Sequence, residues 1–251
     1  MWFGPERSMS SGTAPRRRQQ VYGSLQCVVL DADATQMPDR LLLLCHGYGA
    51  GGEDLVPLGQ ELLRRYADTV GNTRVVLPAA PLELPGGFGG RAWWHLEAGR
   101  IYEAVARGAF DEVMDRVPDG MSSARRKLQA TLDLALRDAN LTYSQVVIAG
   151  FSQGSMLACD LTLRLEEAPA ALALFSSALV ARPQWERFAS RRKGLRVLQT
   201  HGTSDMVLPA VVGQRLRDLL TQAGLQVDFQ AFPGGHTIPP SAIAALADLL
   251  G

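Results

Sequence analysis

Cysteine is scarce in this sequence, and long apolar runs are absent. Its 251 residues include three cysteines, Cys27, Cys45 and Cys159, which are too few and too scattered for a disulfide framework or a zinc site. No segment approaches the roughly 20 consecutive apolar residues that a membrane-spanning helix needs, and the N-terminus lacks the apolar core of a signal peptide. We therefore expect a cytosolic protein with no integral membrane segment and no structural metal.

Neither sign of charge is in excess. Lys and Arg together number 25, as do Asp and Glu, so the formal net charge is zero, and nothing in this balance favours nucleic acid or a membrane surface as a partner. The exception is the basic run Arg16-Arg17-Arg18. Because a short basic run near a terminus is usually solvated, we predict that residues 1–20 form a disordered tail and that the fold begins near Val21.

Apolar runs of strand length alternate with segments of helical pattern. The predicted strands are Gln26–Leu30, Leu41–Cys45, Arg74–Pro78, Gln145–Ala149, Ala171–Phe175, Arg196–Thr200 and Val227–Phe232. The predicted helices are Leu55–Tyr66, Ser122–Ala139, Ser155–Leu165, Ala210–Ala223 and Ser241–Leu250. This alternation predicts a single α/β domain over residues 21–251, with a mainly parallel central sheet and helices on both faces.

One stretch, residues 85–118, interrupts the alternation. It opens with the flexible loop Pro85–Gly90 and continues through Trp93, Trp94 and a short helix-like piece, Ile101–Arg107. An irregular insertion of this length is usually functional or disordered. Two hypotheses stay open: the insertion is a cap or one wall of a substrate cleft, with Trp93 and Trp94 binding substrate, or the two indoles merely anchor the loop to the core.

The pentapeptide Gly150-Phe151-Ser152-Gln153-Gly154 is the most informative motif. It lies between a predicted strand and a predicted helix, and a Gly-x-Ser-x-Gly turn in that context is typical of the nucleophile elbow of an α/β-hydrolase. The tight turn has room only for small residues two places before and after the serine, as Gly150 and Gly154 are. We therefore predict an α/β-hydrolase fold with Ser152 as its activated nucleophile.

A serine hydroxyl needs a base to take its proton and a third group to orient that base. Two histidines follow Ser152 in the chain, His201 and His236. His236 follows two glycines in a loop after the last predicted strand, and that loop can curl the imidazole back over the serine. His201 directly follows a strand and is predicted to be a packing or turn residue. The predicted base is therefore His236.

The predicted orienting acid is Asp205. It lies on a loop after a predicted strand, where catalytic side chains collect in sheets of this type. Its competitors lie within predicted helices or a predicted strand: Asp160, Asp218 and Asp228. The alternative role for Asp205 is that of a turn-forming or helix-capping aspartate.

Acyl transfer also needs N–H donors for the oxyanion of the intermediate. In this fold one donor is the residue after the nucleophile, here Gln153, and the other comes from the loop after the strand Leu41–Cys45. That loop, His46–Gly52, is rich in glycine but lacks the Gly-Lys-Ser/Thr ending of a phosphate-binding loop. The backbone N–H of Tyr48 is therefore the candidate second donor.

Taken together, these segments resemble the phospholipase/carboxylesterase family of α/β-hydrolases, which includes bacterial carboxylesterases and acyl-protein thioesterases. The matching pieces are Leu44–Gly49, Arg91–Trp94, Gly150–Gly154, His201–Asp205 with Val207–Pro209, and Gly235-His236. The resemblance implies a triad of Ser152, Asp205 and His236. It also implies oxyanion donors at Tyr48 and Gln153, short- or medium-chain acyl esters or thioesters as substrates, and no cofactor. The chain departs from the family in having Tyr48 where leucine is common, and in a longer segment between Trp94 and Ser122.

The sequence thus predicts a carboxylesterase that acts on a small-molecule acyl ester, with thioesters and lysophospholipids as further candidate substrates. Amidase or peptidase activity is an alternative, because it uses the same triad. A non-catalytic protein that keeps the fold to bind a small ligand is a third interpretation. An exposed apolar face would allow the chain to form a homodimer.

Overall fold

An eight-stranded sheet runs through the computed structural model, which describes residues 15–86, 89–96, 103 and 107–251. The strands in chain order are β1 (Arg16–Tyr22), β2 (Leu25–Asp31), β3 (Arg40–Cys45), β4 (Thr73–Pro78), β5 (Leu82–Glu83), β6 (Arg91–Ala92), β7 (Val146–Phe151), β8 (Ala171–Phe175), β9 (Arg196–Gly202) and β10 (Gln226–Phe232). The sheet order is β1-β2-β4-β3-β7-β8-β9-β10, and β5 pairs with β6 in a separate two-stranded sheet. Within the eight-stranded sheet, the six strands β4, β3, β7, β8, β9 and β10 are all parallel to their neighbours among these six. Strand β2 is antiparallel to both β1 and β4. The predicted mainly parallel sheet is therefore confirmed.

Helices connect these strands and cover the sheet. Those within the described residues are α1 (Val56–Arg65), α2 (Ala67–Val70), α3 (Phe110–Asp115), α4 (Met121–Ala139), α5 (Gln153–Arg164), α6 (Arg182–Ala189), α7 (Ala210–Gln222) and α8 (Pro240–Leu250). The five helices expected from the sequence all form within two residues of their predicted limits. Their apolar spacing was sufficient to locate them: α1, α4, α7 and α8 each bury one face, whereas α5 is buried on all sides.

The core consists of two layers, one on each face of the sheet. Along β3, Leu41 and Leu43 belong to the layer that packs against α4, α5, α6 and α7. Leu42 and Leu44 belong to the layer that packs against α1 and α8. This alternation follows from the strand period of two, and it buries the strand on both sides, as expected for a central parallel strand. The carboxyl ends of the parallel strands then meet at one edge of the sheet.

Ordered structure begins earlier in the chain than the predicted start near Val21. Residues Arg16–Tyr22 form β1, which pairs along its whole length with β2. Tyr22 is buried, and Arg18 forms ion pairs with Asp31 at 3.4 Å and Asp138 at 3.3 Å. The prediction that the basic run is a mobile tail is therefore wrong, because the arginines are held by backbone pairing and, at Arg18, by carboxylates from other parts of the chain.

The insertion at residues 85–118 is described in part. The hairpin of β5 and β6 flanks its first loop, and α3 lies near its end. Arg182 of α6 joins α3 to the rest of the molecule through Asp111 at 2.8 Å and Asp115 at 2.5 Å. The helix-like piece predicted at Ile101–Arg107 lies almost entirely outside the described residues.

Candidate active site

Ser152 stands on a strained turn between β7 and α5. Its backbone adopts φ 53° and ψ −120°, a left-handed φ that is costly for a residue with a side chain. Its N–H donates to the carbonyl of Phe175, at the end of β8, at 2.9 Å. Added Cβ atoms at Gly150 and Gly154 would collide with backbone atoms, of Gly154 and Cys45 among others. The two glycines are therefore required by packing as well as by the turn.

His236 reaches Ser152 from the loop that follows β10. Its Nε2 lies 2.8 Å from Ser152 Oγ, and its ring lies 4.8 Å from the ring of Phe151, centroid to centroid. The next residue, Thr237, is held by a hydrogen bond of 3.2 Å from Ser176 Oγ to its carbonyl. Ser176 has a φ of 47°, a strained conformation that no motif in the sequence predicts. The imidazole is thus positioned from both sides.

Asp205 completes the line of hydrogen bonds. Its Oδ2 lies 2.7 Å from His236 Nδ1, and its side chain is fully buried. Its other oxygen, Oδ1, accepts hydrogen bonds from the N–H groups of Val207 at 2.9 Å and Leu208 at 2.8 Å. The turn-forming role considered as an alternative is therefore present together with the contact to His236. These two backbone donors fix the orientation of the carboxylate.

The N–H of Gln153 lies at the first position of α5. Backbone N–H groups in the first turn of a helix have no acceptor within that helix, and they lie at the positive end of the helix dipole. The Gln153 side chain is buried, accepts from the N–H of Trp93 at 2.9 Å and donates to the carbonyl of Trp94 at 2.8 Å. We call these two hydrogen bonds the Gln153 clamp. The sequence pointed only to the backbone N–H of Gln153, so the role of its side chain is a finding of the structure.

Tyr48 lies on the glycine-rich loop after β3, and its side chain is exposed. The neighbouring Gly47 packs against the elbow, since an added Cβ there would lie 3.3 Å from Ser152 Cβ. The loop is tied to β6 by hydrogen bonds from Gly49 N–H to the carbonyl of Arg91 at 2.9 Å and from Arg91 N–H to that of Ala50 at 3.1 Å. This arrangement brings the backbone around Tyr48 next to Ser152.

His46, for which the sequence predicts no role of its own, supports the same loop. Its Nε2 faces the N–H of Ala80 at 3.0 Å, so Nε2 accepts and carries no proton. Its Nδ1 then carries the proton and donates to the carbonyl of Gly47 at 2.8 Å. Burial lowers the pKa of His46, because the charged form loses hydration there. A neutral imidazole of fixed tautomer therefore holds the base of the loop.

Comparison with known proteins decides the family. The sequence profile of the phospholipase/carboxylesterase family matches residues 32–250. The chain belongs to this family. Acyl-protein thioesterase 1 of Neurospora crassa is 24% identical over 215 residues, which cover 83% of this chain and 84% of that protein. Its namesake from Mycosarcoma maydis is 26% identical over 246 residues, which cover 90% of this chain and 96% of that protein.

Solved structures agree with the membership of this phospholipase/carboxylesterase family. Esterase PE8 matches with a TM-score of 0.69 at 28% identity, covering 85% of this chain and 92% of its own. A carboxylesterase from Mesorhizobium loti gives a TM-score of 0.72 at 20% identity over 93% and 98% of the two chains, a likeness that shows the fold. The family and these neighbours make the chain a hydrolase of the carboxylic ester class.

In this family member, Trp93 and Trp94 lie in the core. Each residue is 1% exposed, and Trp93 Nε1 donates to the carbonyl of His46 at 2.9 Å. This finding corrects the prediction that the two indoles bind substrate and favours the alternative that they anchor the insertion. Burial of the two indoles removes a large apolar surface from water, and the N–H group of the Trp93 indole has its partner inside the core.

Helices that could span a membrane, clusters of metal ligands and disulfides are all absent from the described residues. None of their helices is both long and apolar enough to cross a membrane, and they include no cluster of three potential metal ligands. Cys27, Cys45 and Cys159 are buried free thiols, and burial raises the pKa of Cys27 to about 12. The expected cytosolic location and homodimer stay predictions.

Proposed function

We propose that the chain hydrolyses acyl esters through a covalent acyl-enzyme, with Ser152 as nucleophile, His236 as general base and Asp205 as orienting acid. One observation carries the proposal. A continuous line of hydrogen bonds runs from Ser152 Oγ to His236 Nε2 at 2.8 Å and from His236 Nδ1 to Asp205 Oδ2 at 2.7 Å. A serine in this arrangement can lose its proton as it attacks a carbonyl.

The reaction proceeds in two acyl-transfer steps. Ser152 Oγ attacks the ester carbonyl while its proton passes to His236 Nε2, and the backbone N–H groups of Tyr48 and Gln153 stabilise the oxyanion. His236 then donates that proton to the leaving alcohol as the carbon–oxygen bond breaks. A water molecule, deprotonated by the same imidazole, attacks the acyl-enzyme, and the carboxylic acid leaves as Ser152 regains its proton. Asp205 stays ionised and holds the imidazole in the productive tautomer.

The proposed substrates are short- to medium-chain acyl esters and thioesters, and no cofactor takes part. Thioesters are included because two of the relatives are acyl-protein thioesterases by name. A thiolate leaves more readily than an alkoxide, so the same serine and oxyanion donors can cleave both kinds of bond. Tyr48 lies on the glycine-rich loop after β3, and its phenol is exposed. We expect the acyl group to contact this side chain. A panel of esters and thioesters of graded acyl length, with lysophospholipids and peptide amides, would measure the preference.

The most economical test is hydrolysis of a chromogenic short-chain ester by the wild type and Ser152→Ala. Removing the nucleophile should lower kcat by about 10⁴-fold or more, because a triad acts as a unit. Ser190→Ala serves as the control, since Ser190 is an exposed serine at the end of α6, and it should retain wild-type turnover. Undiminished turnover by Ser152→Ala would overturn the proposal.

A further inference from the structure

Asp205 has a second histidine beside it. His201, the penultimate residue of β9, is 1% exposed, and its Nε2 lies 3.6 Å from Asp205 Oδ2. This is the same oxygen that faces His236 Nδ1 on the other side. The proposed reaction makes no use of His201, so its burial against the triad carboxylate needs an explanation.

The surroundings of His201 determine where its proton lies. Its Nε2 is 2.8 Å from the carbonyl oxygen of Leu208, and because a carbonyl oxygen can only accept, Nε2 must carry a proton. Its Nδ1 is buried and has no hydrogen-bond partner among the described residues. The helix α7 packs against that edge of the ring, where a Cβ at Gly213 would collide with Nδ1. A proton on Nδ1 would be an unpaired buried donor, which disfavours the charged ring.

The backbone of Leu208 links His201 to Asp205. The carbonyl of Leu208 accepts from His201, and the N–H of the same residue donates to Asp205 Oδ1 at 2.8 Å. His201 thereby fixes the turn that carries Asp205. We infer that neutral His201 is a positioning residue that holds Asp205 in line with His236, an inference that rests on the proposed function. It touches neither the substrate site nor the reacting atoms, so it acts only through the acid.

The consequence for catalysis follows from the groups that face His236. Asp205 is the charged one, Ser152 faces the other ring nitrogen, and the ring of Phe151 covers the imidazole. If the turn loosens, Asp205 orients the imidazole of His236 less well for proton transfer with Ser152. We therefore expect a lower kcat with an unchanged KM, because the alignment of the triad is disturbed while the substrate site is not.

Two variants of equal length and similar shape separate positioning from packing. His201→Gln places an amide N–H where Nε2–H lies and can donate to Leu208, whereas His201→Met fills the same space without a donor. Turnover per active site is obtained by end-point titration of Ser152 with an organophosphonate, and thermal unfolding confirms that both variants are folded. We expect His201→Met to lose about 10- to 100-fold in kcat, the size of effect that small misplacement of a catalytic group produces. His201→Gln should recover most of that loss, and KM should be the same in the wild type and both variants.

The outcomes distinguish this inference from the function on which it rests. Equal kcat in the two variants, with the wild type active, would overturn the positioning role of His201 while leaving the triad intact. A wild-type protein that neither hydrolyses esters nor reacts with the phosphonate would overturn the proposed function itself.

Discussion

At the scale of single residues, Gln153 connects the elbow to the insertion. Its backbone begins α5 next to the nucleophile, while its buried amide accepts from the N–H of Trp93 and donates to the carbonyl of Trp94. An amide is suited to this task because it offers one acceptor and two donors on a single planar group. The side chain of Gln153 thus has a structural role that is separate from the proposed role of its backbone N–H as an oxyanion donor.

Replacing Gln153 by methionine tests this clamp. Gln153→Met keeps the backbone N–H and the side-chain length but leaves Trp93 N–H and Trp94 carbonyl buried without partners. Each unpaired group should cost about 1–3 kcal/mol of unfolding free energy, measured by urea denaturation. Gln145→Met is the matched control, because the bonds of Gln145 lie at the surface, where water can replace them. A similar, small loss in both variants would contradict the clamp.

His46 gives the stability of the protein a pH dependence. The folded-state pKa of His46 is lowered by burial, while the unfolded chain takes up a proton near its ordinary value of about 6.5. Between these two pKa values the unfolded state binds more protons, so the free energy of unfolding falls as the pH decreases through that window. Above about pH 6.5 this contribution to stability is fully present.

Comparison with His46→Gln isolates this contribution. The glutamine oxygen can accept from Ala80 N–H, yet the side chain does not titrate. We expect the wild type to lose more stability than the variant between pH 7 and pH 5, in a series of denaturant titrations at constant ionic strength. Parallel stability curves for the two proteins would show that His46 does not carry the effect.

At the scale of elements, α5 carries the nucleophile at one end and is anchored at its middle. Asp160, buried within α5, forms ion pairs with Arg125 of α4 at 2.9 Å and with Arg164 one turn further along α5 at 2.8 Å. It also accepts from Trp185 Nε1 of α6 at 2.9 Å. One carboxylate therefore joins three helices on the face of the sheet that supports the elbow.

Removing this charge should be costly. Asp160→Asn leaves two largely buried guanidinium groups without a counter-charge, and breaking a buried pair costs about 3–5 kcal/mol of unfolding free energy. Asp138→Asn is the control, because Asp138 also meets two arginines but its side chain is 44% exposed, where a pair contributes about 1 kcal/mol or less. Chemical denaturation of both variants measures the difference. Equal losses of unfolding free energy would contradict the claim that the Asp160 carboxylate joins the three helices.

At the scale of the whole molecule, the predicted parts are those determined by local pattern. Strand β7, the elbow and α5 are contiguous, so their sequence alone indicates the turn. Strand β1 was missed because its polar residues look like a tail until β2 pairs with them and Asp138, 120 residues from Arg18, meets its guanidinium. The helix α6 was missed as well, since it is short and contains Pro183, which is tolerated in the first turn of a helix.

The same reasoning explains which parts of the candidate site were foreseen. Ser152, Asp205 and His236 each follow a strand in a recognisable motif, and the structure brings their polar atoms within hydrogen-bond distance. The roles of His46 and His201 depend on which backbone atoms face their ring nitrogens, and those atoms come from distant loops. The role of Trp93 and Trp94 could not be decided in advance, because an indole suits a core and a cleft equally well.

Phosphonate labelling tests the central claim, that Ser152 is the activated nucleophile, most directly. The intact protein is treated with a fluorophosphonate, and the adduct is located by peptide mass spectrometry in the wild type, His236→Ala and heat-unfolded protein. We predict one adduct per chain, on Ser152, formed rapidly only in the folded wild type, since the reaction needs the aligned base as well as the serine. Labelling at another residue, or equal labelling of Ser152 in all three samples, would contradict the account.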